Sequence, residues 1–84
     1  MITVYSKNNC AFCAKATNFL NLRNIPYQEV KIDENLEAKE FILSQGHRTV
    51  PQLYFNGKLF VEGGFQGLTR LTEDQLKEKL SVII

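Results

Sequence analysis

Residues 2–20, ITVYSKNNCAFCAKATNFL, predict a strand that leads through a short turn into a helix. The first four of these residues are β-branched or aromatic, as strands favour, and polar turn-forming residues follow them. Further along the stretch, from Phe12 onward, apolar side chains recur at the helical period. We therefore expect a first strand at residues 2–5 and a first helix that starts at or beside Cys10.

The next part of the chain predicts a second strand and a second helix. Residues 27–32 show the alternation of a strand. Asp33 and Asn35 offer side-chain oxygens that can cap the start of a helix. Gly46 is the residue type that closes helices in a left-handed conformation, so we expect the second helix to end there.

Residues 52–61, QLYFNGKLFV, contain the clearest local signal in the chain. Two strand-like segments flank Asn56-Gly57, a dipeptide that favours a hairpin with a type I′ turn. Beyond the hairpin, Thr72 and Gln75 have the spacing of a capping box for a last helix. The predicted order is βαβαββα, an α/β fold in which a right-handed crossover joins a parallel pair of strands.

Length and charge narrow the possible functions. The chain has 84 residues, too few for a second core, so we expect a single domain over residues 1–84, with the tail 82–84 covering the sheet. Ten basic residues against nine acidic ones give a net charge of +1, which argues against nucleic acid as a partner. No apolar run is long enough to span a membrane, and no secretory signal pattern is present. We expect a cytoplasmic protein.

The chain has two cysteines, Cys10 and Cys13, and their spacing decides what they can do. A disulfide that closes so short a loop removes little entropy from the unfolded chain, so structural stapling is not its purpose. Cys10 is at the first turn of a helix and three residues after Lys7. The free N–H groups and the positive end of the helix dipole, with the charge of Lys7, favour a thiolate at this position. Cys13 lies one turn further in and is expected to be less exposed. This asymmetry favours thiol–disulfide exchange, with Cys10 as the nucleophile and Cys13 as the resolving thiol.

Two plainer interpretations of the cysteines remain open. They are half of a zinc site, for which the lone histidine, His47, is the other candidate ligand, or they are two buried and unreactive thiols. We predict no metal site. His47 itself is expected to be a loop residue near the groove and not an acid or base.

The sequence resembles the glutaredoxins, in three motifs that occur in the family's order. These motifs are Tyr5-Ser6-Lys7 leading into Cys10-Ala11-Phe12-Cys13, then Thr49-Val50-Pro51, then Gly63-Gly64. The resemblance implies a thioredoxin-like fold with a four-stranded mixed sheet of order 2-1-3-4 and a cis peptide bond between Val50 and Pro51. It further implies a glutathione-dependent thiol–disulfide oxidoreductase that acts as a monomer on protein disulfides or glutathione mixed disulfides. Glutathione is then a co-substrate, no cofactor is tightly bound, and a ribonucleotide reductase is one candidate protein substrate.

The resemblance also implies a glutathione site. Val50 pairs with the cysteine of glutathione, the segment after Gly63-Gly64 holds the γ-glutamyl end, and basic residues meet the glycyl carboxylate. For Phe12, contact with substrate and burial in the core are equally open. The binding residues predicted in this way are Lys7, Phe12, Arg48, Thr49, Val50, Pro51, Gly64, Phe65 and Gln66.

The chain departs from the family pattern at several positions, which keeps two other functions open. Ala11-Phe12 replaces the common Pro-Tyr, and Gln66 and Gly67 stand where the family usually has acidic residues. One alternative is therefore a glutaredoxin-like electron donor reduced by thioredoxin reductase. The other is a protein in which two subunits and two glutathiones bind a [2Fe–2S] cluster through Cys10.

Overall fold

A four-stranded sheet forms the centre of the molecule. The computed structural model describes residues 1–80, so the predicted role of the tail 82–84 lies outside the described residues. In chain order the elements are β1 (Ile2–Ser6), α1 (Ala11–Leu22), β2 (Tyr27–Lys31), α2 (Leu36–Ser44), β3 (Gln52–Phe55), β4 (Lys58–Leu59), α3 (Phe65–Thr69) and α4 (Glu73–Leu80). The strand order is β2-β1-β3-β4, with β1 parallel to β2 and the other neighbours antiparallel, as expected.

Helices cover both faces of the sheet. Alternate residues of β1 point to opposite faces, and Val4 belongs to the core beneath α1, whereas the Tyr5 ring packs 5.5 Å from Phe41 of α2. The Tyr54 ring of β3 lies on the same side as Tyr5, with the ring centroids 5.7 Å apart. The buried core on the α1 side consists of Ile2, Val4, Ala16, Leu20, Leu53, Phe60, Val61, Leu68 and Leu76.

The predicted turn and caps are confirmed. Asn56 and Gly57 have φ angles of 53° and 79°, the left-handed values that a type I′ turn requires. The Ala38 N–H donates to the Asn35 side chain at 3.0 Å, which caps α2. Before α4, backbone N–H groups and side-chain oxygens pair reciprocally in a capping box, with Thr72 N to Gln75 Oε1 at 3.0 Å and Gln75 N to Thr72 Oγ1 at 3.1 Å.

The structure adds one element to the predicted order and shortens another. Helix α3 has five residues and follows Gly64 directly; the fully buried side chain of Leu68 fixes it to the core. Strand β4 covers only Lys58–Leu59; the Phe60 N–H still donates to the Leu53 carbonyl oxygen at 2.8 Å, and the chain then turns toward α3 at Gly63 and Gly64, whose φ angles are 87° and 58°. Within residues 1–80, no helix is long and apolar enough to cross a membrane.

Candidate active site

Cys10 lies at the junction of the β1–α1 loop and α1, where it is the N-cap of the helix. Its backbone is extended, with φ −116° and ψ 107°, and its sulfur accepts a hydrogen bond from the Cys13 N–H at 3.3 Å. The sulfur also lies 4.0 Å from the carbonyl oxygen of Val50. Cys10 is only partly buried, so an incoming disulfide can reach it.

Cys13 has the opposite environment. It faces the sheet from the first turn of α1 and is 2% exposed, and both cysteines are free thiols. Burial raises the pKa of Cys13 to about 12, and its hydrogen bond to the Cys10 side chain acts in the same direction, against a smaller opposing effect from the Lys7 backbone N–H. Cys13 is therefore a protonated thiol at neutral pH, and the predicted inequivalence of the two cysteines is present in the structure.

A cavity of about 260 Å³, here called the aromatic cavity, lies on one side of this junction. Phe12, which is 51% exposed, lies on its wall with its ring centroid 6.5 Å from that of Phe65. The bond between Val50 and Pro51 is cis, as predicted. The residues that line the cavity are Phe12, Thr49, Val50, Pro51, Gly63, Gly64, Phe65 and Gln66.

A second cavity, of about 500 Å³, opens on the other side of Cys10 and is here called the cationic cavity. Lys7, Lys39 and Arg48 line it, and no aspartate or glutamate is among the described residues of its wall. Ala38 is buried, whereas its neighbour Lys39 is exposed and faces the cavity, which fixes the orientation of α2. The nucleophilic sulfur thus lies beside a pocket of uncompensated positive charge.

The structure brings all nine predicted binding residues to these two cavities, either side of Cys10. Phe12 is a surface residue there and not part of the core. His47 lies on the wall of the cationic cavity, with its Nε2 2.7 Å from the Tyr54 hydroxyl, so its ring has a local structural partner. Within residues 1–80, no three His, Cys, Asp or Glu side chains are grouped so as to hold a metal ion.

Gly67, one of the positions at which the chain departs from the family pattern, has no room for a side chain. It is buried in α3, and a Cβ atom there would collide with the carbonyl oxygen of Glu62. Of the two positions after Phe65, Gln66 alone lines the aromatic cavity. The chain has glycine at position 67 because the backbone of Glu62 packs directly against it.

Sequence reasoning did not place two charged residues near the cysteines. Ala38 and Lys39 are adjacent in the sequence, and only the observed rotation of α2 shows that Lys39 faces the cationic cavity. Glu29, on β2, lies beside a further cavity that also reaches Cys13. The alternation of residues 27–32 marks a strand, but the partner of Glu29 in β1 depends on the register across a helical crossover, which has no local signal.

The sheet topology is that of the thioredoxin-like fold. An accessible thiol lies at the N-terminus of a helix, and a buried thiol follows one turn later. Together these features define a thiol–disulfide oxidoreductase of the thioredoxin-like fold. A family model described as Glutaredoxin matches residues 2–60. The chain belongs to the glutaredoxin family.

Relatives and solved structures agree with this assignment. The glutaredoxin-like protein NrdH of Lactococcus lactis is 41% identical over 51 residues, 61% of this chain and 71% of the relative. Glutaredoxin 3 of Escherichia coli is 31% identical over 58 residues, 68% of this chain and 70% of the relative.

Two solved structures share the fold. The dithiolic glutaredoxin 2-C-Grx1 of Trypanosoma brucei brucei has a TM-score of 0.76 and 28% identity, covering 95% of this chain and 86% of that one. The buckwheat glutaredoxin–glutathione complex has a TM-score of 0.78 and 23% identity, covering 96% of this chain and 76% of the buckwheat chain.

Proposed function

We propose that this oxidoreductase uses glutathione, and that it reduces glutathione mixed disulfides and protein disulfides. The observation that carries the proposal is the cationic cavity beside Cys10, in which Lys7, Lys39 and Arg48 face no carboxylate among the described residues of the wall. Glutathione is a small anionic thiol whose carboxylates need such partners. The buckwheat protein of the same fold, which was solved as a glutathione complex, supports this assignment.

For a glutathione mixed disulfide, one cysteine is sufficient. The Cys10 thiolate attacks the glutathione sulfur, a bond forms between these two sulfurs, and the protein thiolate leaves and takes up a proton. A second glutathione thiolate then attacks the sulfur of the bound glutathione. Oxidised glutathione leaves, and Cys10 returns as a thiolate.

For a protein disulfide, both cysteines are needed. Cys10 attacks one sulfur of the substrate and forms a mixed disulfide, which releases the first substrate thiol. Cys13 then attacks the Cys10 sulfur, forms the bond between Cys10 and Cys13 and releases the second substrate thiol. Two glutathiones reduce the resulting disulfide and leave as oxidised glutathione.

A second candidate is reduction by thioredoxin reductase in place of glutathione. The 41% identity to NrdH, a glutaredoxin-like protein, favours it. So does Gln66 on the wall of the aromatic cavity, because an amide offers no negative charge to the amino group of a γ-glutamyl residue.

The deciding experiment reduces the oxidised protein by two routes. One route supplies glutathione, glutathione reductase and NADPH, and the other supplies thioredoxin reductase and NADPH, with NADPH consumption followed in both. Fast reduction by glutathione supports the proposal, whereas reduction by the flavoenzyme alone overturns it. Lys39→Gln should slow the glutathione route, and Lys58→Gln, in the distant hairpin, is the control for loss of one positive charge.

The cellular setting is also a proposal. A dithiol that must be reduced for each turnover works in a reducing compartment, so we propose the cytoplasm. We propose that the protein acts as a monomer on disulfide-containing proteins, with a ribonucleotide reductase as one candidate.

A further inference from the structure

A third cavity, of about 630 Å³, lies beside the first turn of α1 and is here called the rear cavity. It is lined by Cys13 of α1 and by Glu29 and Lys31 of β2, together with residues of the loop that precedes Cys10. Neither the aromatic nor the cationic cavity includes Cys13 or Glu29 in its wall. The rear cavity shares Lys7, Asn9 and Cys10 with the cationic cavity, whereas Cys13 and Glu29 line the rear cavity and neither of the other two.

The strand register places the Glu29 side chain on the same face as the cysteine. Glu29 is paired with Val4 in the parallel ladder, and directly paired residues point to the same face of the sheet. Val4 lies in the core beneath α1, so Glu29 also lies on the α1 side. The fully buried Ser6, two residues after Val4, donates its hydroxyl to Glu29 Oε2 at 2.7 Å and holds the carboxylate in place.

Cys13 needs a proton acceptor when it reacts, because the thiolate is the nucleophile and Cys13 is held as a thiol. Burial is the main reason for its high pKa, and the nearby negative charge of Glu29 adds a small contribution in the same direction. The charged groups that face the rear cavity are Glu29, Lys7 and Lys31, so Glu29 is the one carboxylate among its described lining residues. Lys31 Nζ donates to the Asn8 side chain at 2.8 Å, at the rim of the cavity.

We infer that Glu29 accepts the Cys13 proton, through water in the rear cavity, as Cys13 attacks the mixed disulfide on Cys10. In this step the Cys13 sulfur forms a bond to the Cys10 sulfur, and the bond from Cys10 to the substrate sulfur breaks. The substrate leaves as a thiolate, and the Cys13 proton passes to Glu29 and then to solvent. The inference rests on the dithiol reaction alone and is independent of which reductant regenerates the protein.

The test observes the resolving step without glutathione. Reduced protein is mixed with excess dithiobis(nitrobenzoate) in a stopped-flow instrument. The attack by Cys10 releases the first nitrothiobenzoate at a rate that depends on reagent concentration, and the attack by Cys13 releases the second at a rate that does not. Glu29→Gln is compared with Glu37→Gln, which removes an exposed carboxylate on α2.

Glu29→Gln should slow the second phase about a hundredfold at pH 7, at the low end of what a general base contributes, and leave the first phase unchanged. Its second-phase rate should then rise steeply with pH as hydroxide replaces the lost base. Glu29→Asp should restore part of the rate, and Glu37→Gln should match the unmodified protein. Removal of a negative charge alone would favour the Cys13 thiolate, so an unchanged or faster second phase in Glu29→Gln overturns the inference.

Discussion

The Cys13 N–H donates to the Cys10 sulfur at 3.3 Å, so the two redox cysteines are joined by the cap of the helix that carries them. This bond satisfies one of the free N–H groups at the helix start. The same arrangement turns Cys13 toward the sheet, where it is only 2% exposed. One local structure therefore gives the two thiols their different roles.

The first prediction concerns the division of work between the cysteines. Cys10→Ser should abolish all exchange activity, because no other accessible nucleophile replaces it. Cys13→Ser should retain activity on glutathione mixed disulfides and lose protein-disulfide reduction. The measurements are turnover with a glutathionylated peptide and with insulin; equal losses in both variants would contradict the assigned roles.

Alkylation should distinguish the two thiols directly. With a pKa of about 12, Cys13 is ionised in only about one molecule in 10,000 at pH 8, and burial further blocks the reagent. Iodoacetamide at pH 8 should therefore modify Cys10 alone, as measured by peptide mass spectrometry. Comparable labelling of Cys13 in the folded protein would refute the buried-thiol assignment, and labelling in denaturant provides the control.

The raised pKa of Cys13 also predicts how stability changes with pH. An unfolded cysteine ionises near pH 8.5, whereas folded Cys13 keeps its proton to about pH 12. Between these values the folded state binds more protons, so the free energy of unfolding falls as the pH rises. Urea unfolding of the reduced protein at pH 8 to 10 should show a steeper fall than that of Cys13→Ser; parallel slopes would show that Cys13 does not contribute.

The cationic cavity should govern affinity for glutathione and not the chemical step. Lys7→Gln, Lys39→Gln and Arg48→Gln should each raise KM for a glutathionylated peptide by about three- to tenfold, with kcat changed less. The effect should weaken at high ionic strength because these side chains are exposed. Lys58→Gln is the matched control, and an equal rise in KM for that variant would point to nonspecific attraction.

Gly67→Ala should destabilise the protein, contrary to the usual effect of this change in a helix. Alanine is normally favoured over glycine within helices by about 1 kcal/mol, but a Cβ at position 67 meets the Glu62 carbonyl oxygen. Chemical denaturation should show a lower free energy of unfolding for Gly67→Ala. Ser44→Ala, at the exposed end of α2, is the control for a helical substitution outside the core.

Local signals made most of the fold predictable. The left-handed turn at Asn56-Gly57 and the capping box of Thr72 and Gln75 each depend on a few adjacent residues, and both are present. Helix α3 was different, because no sequence pattern of its own marked it as a helix. Five residues are too few for a stable isolated helix, and burial of Leu68 in the core maintains it.

Site residues that belong to a contiguous sequence motif were predictable. Site residues that meet only through the packing of distant elements were not. Cys10 and Cys13 follow directly from their spacing at a strand–helix junction. Lys39 required the rotation of α2, since adjacent helical residues point about 100° apart. Glu29 required the pairing of β2 with β1, which the crossover helix sets.

Val50 and Thr49 line both the aromatic and the cationic cavity, so one thin wall separates two unlike binding surfaces. The charged side chains on one side come from the β1–α1 loop, α2 and the segment before β3, whereas Phe65 and Gln66 on the other belong to α3. An exchange at Lys39 therefore changes the charge preference without altering the shape of the aromatic side. Under the proposed function, substrate charge and substrate shape therefore depend on separate sets of residues, so substitutions can change one and leave the other.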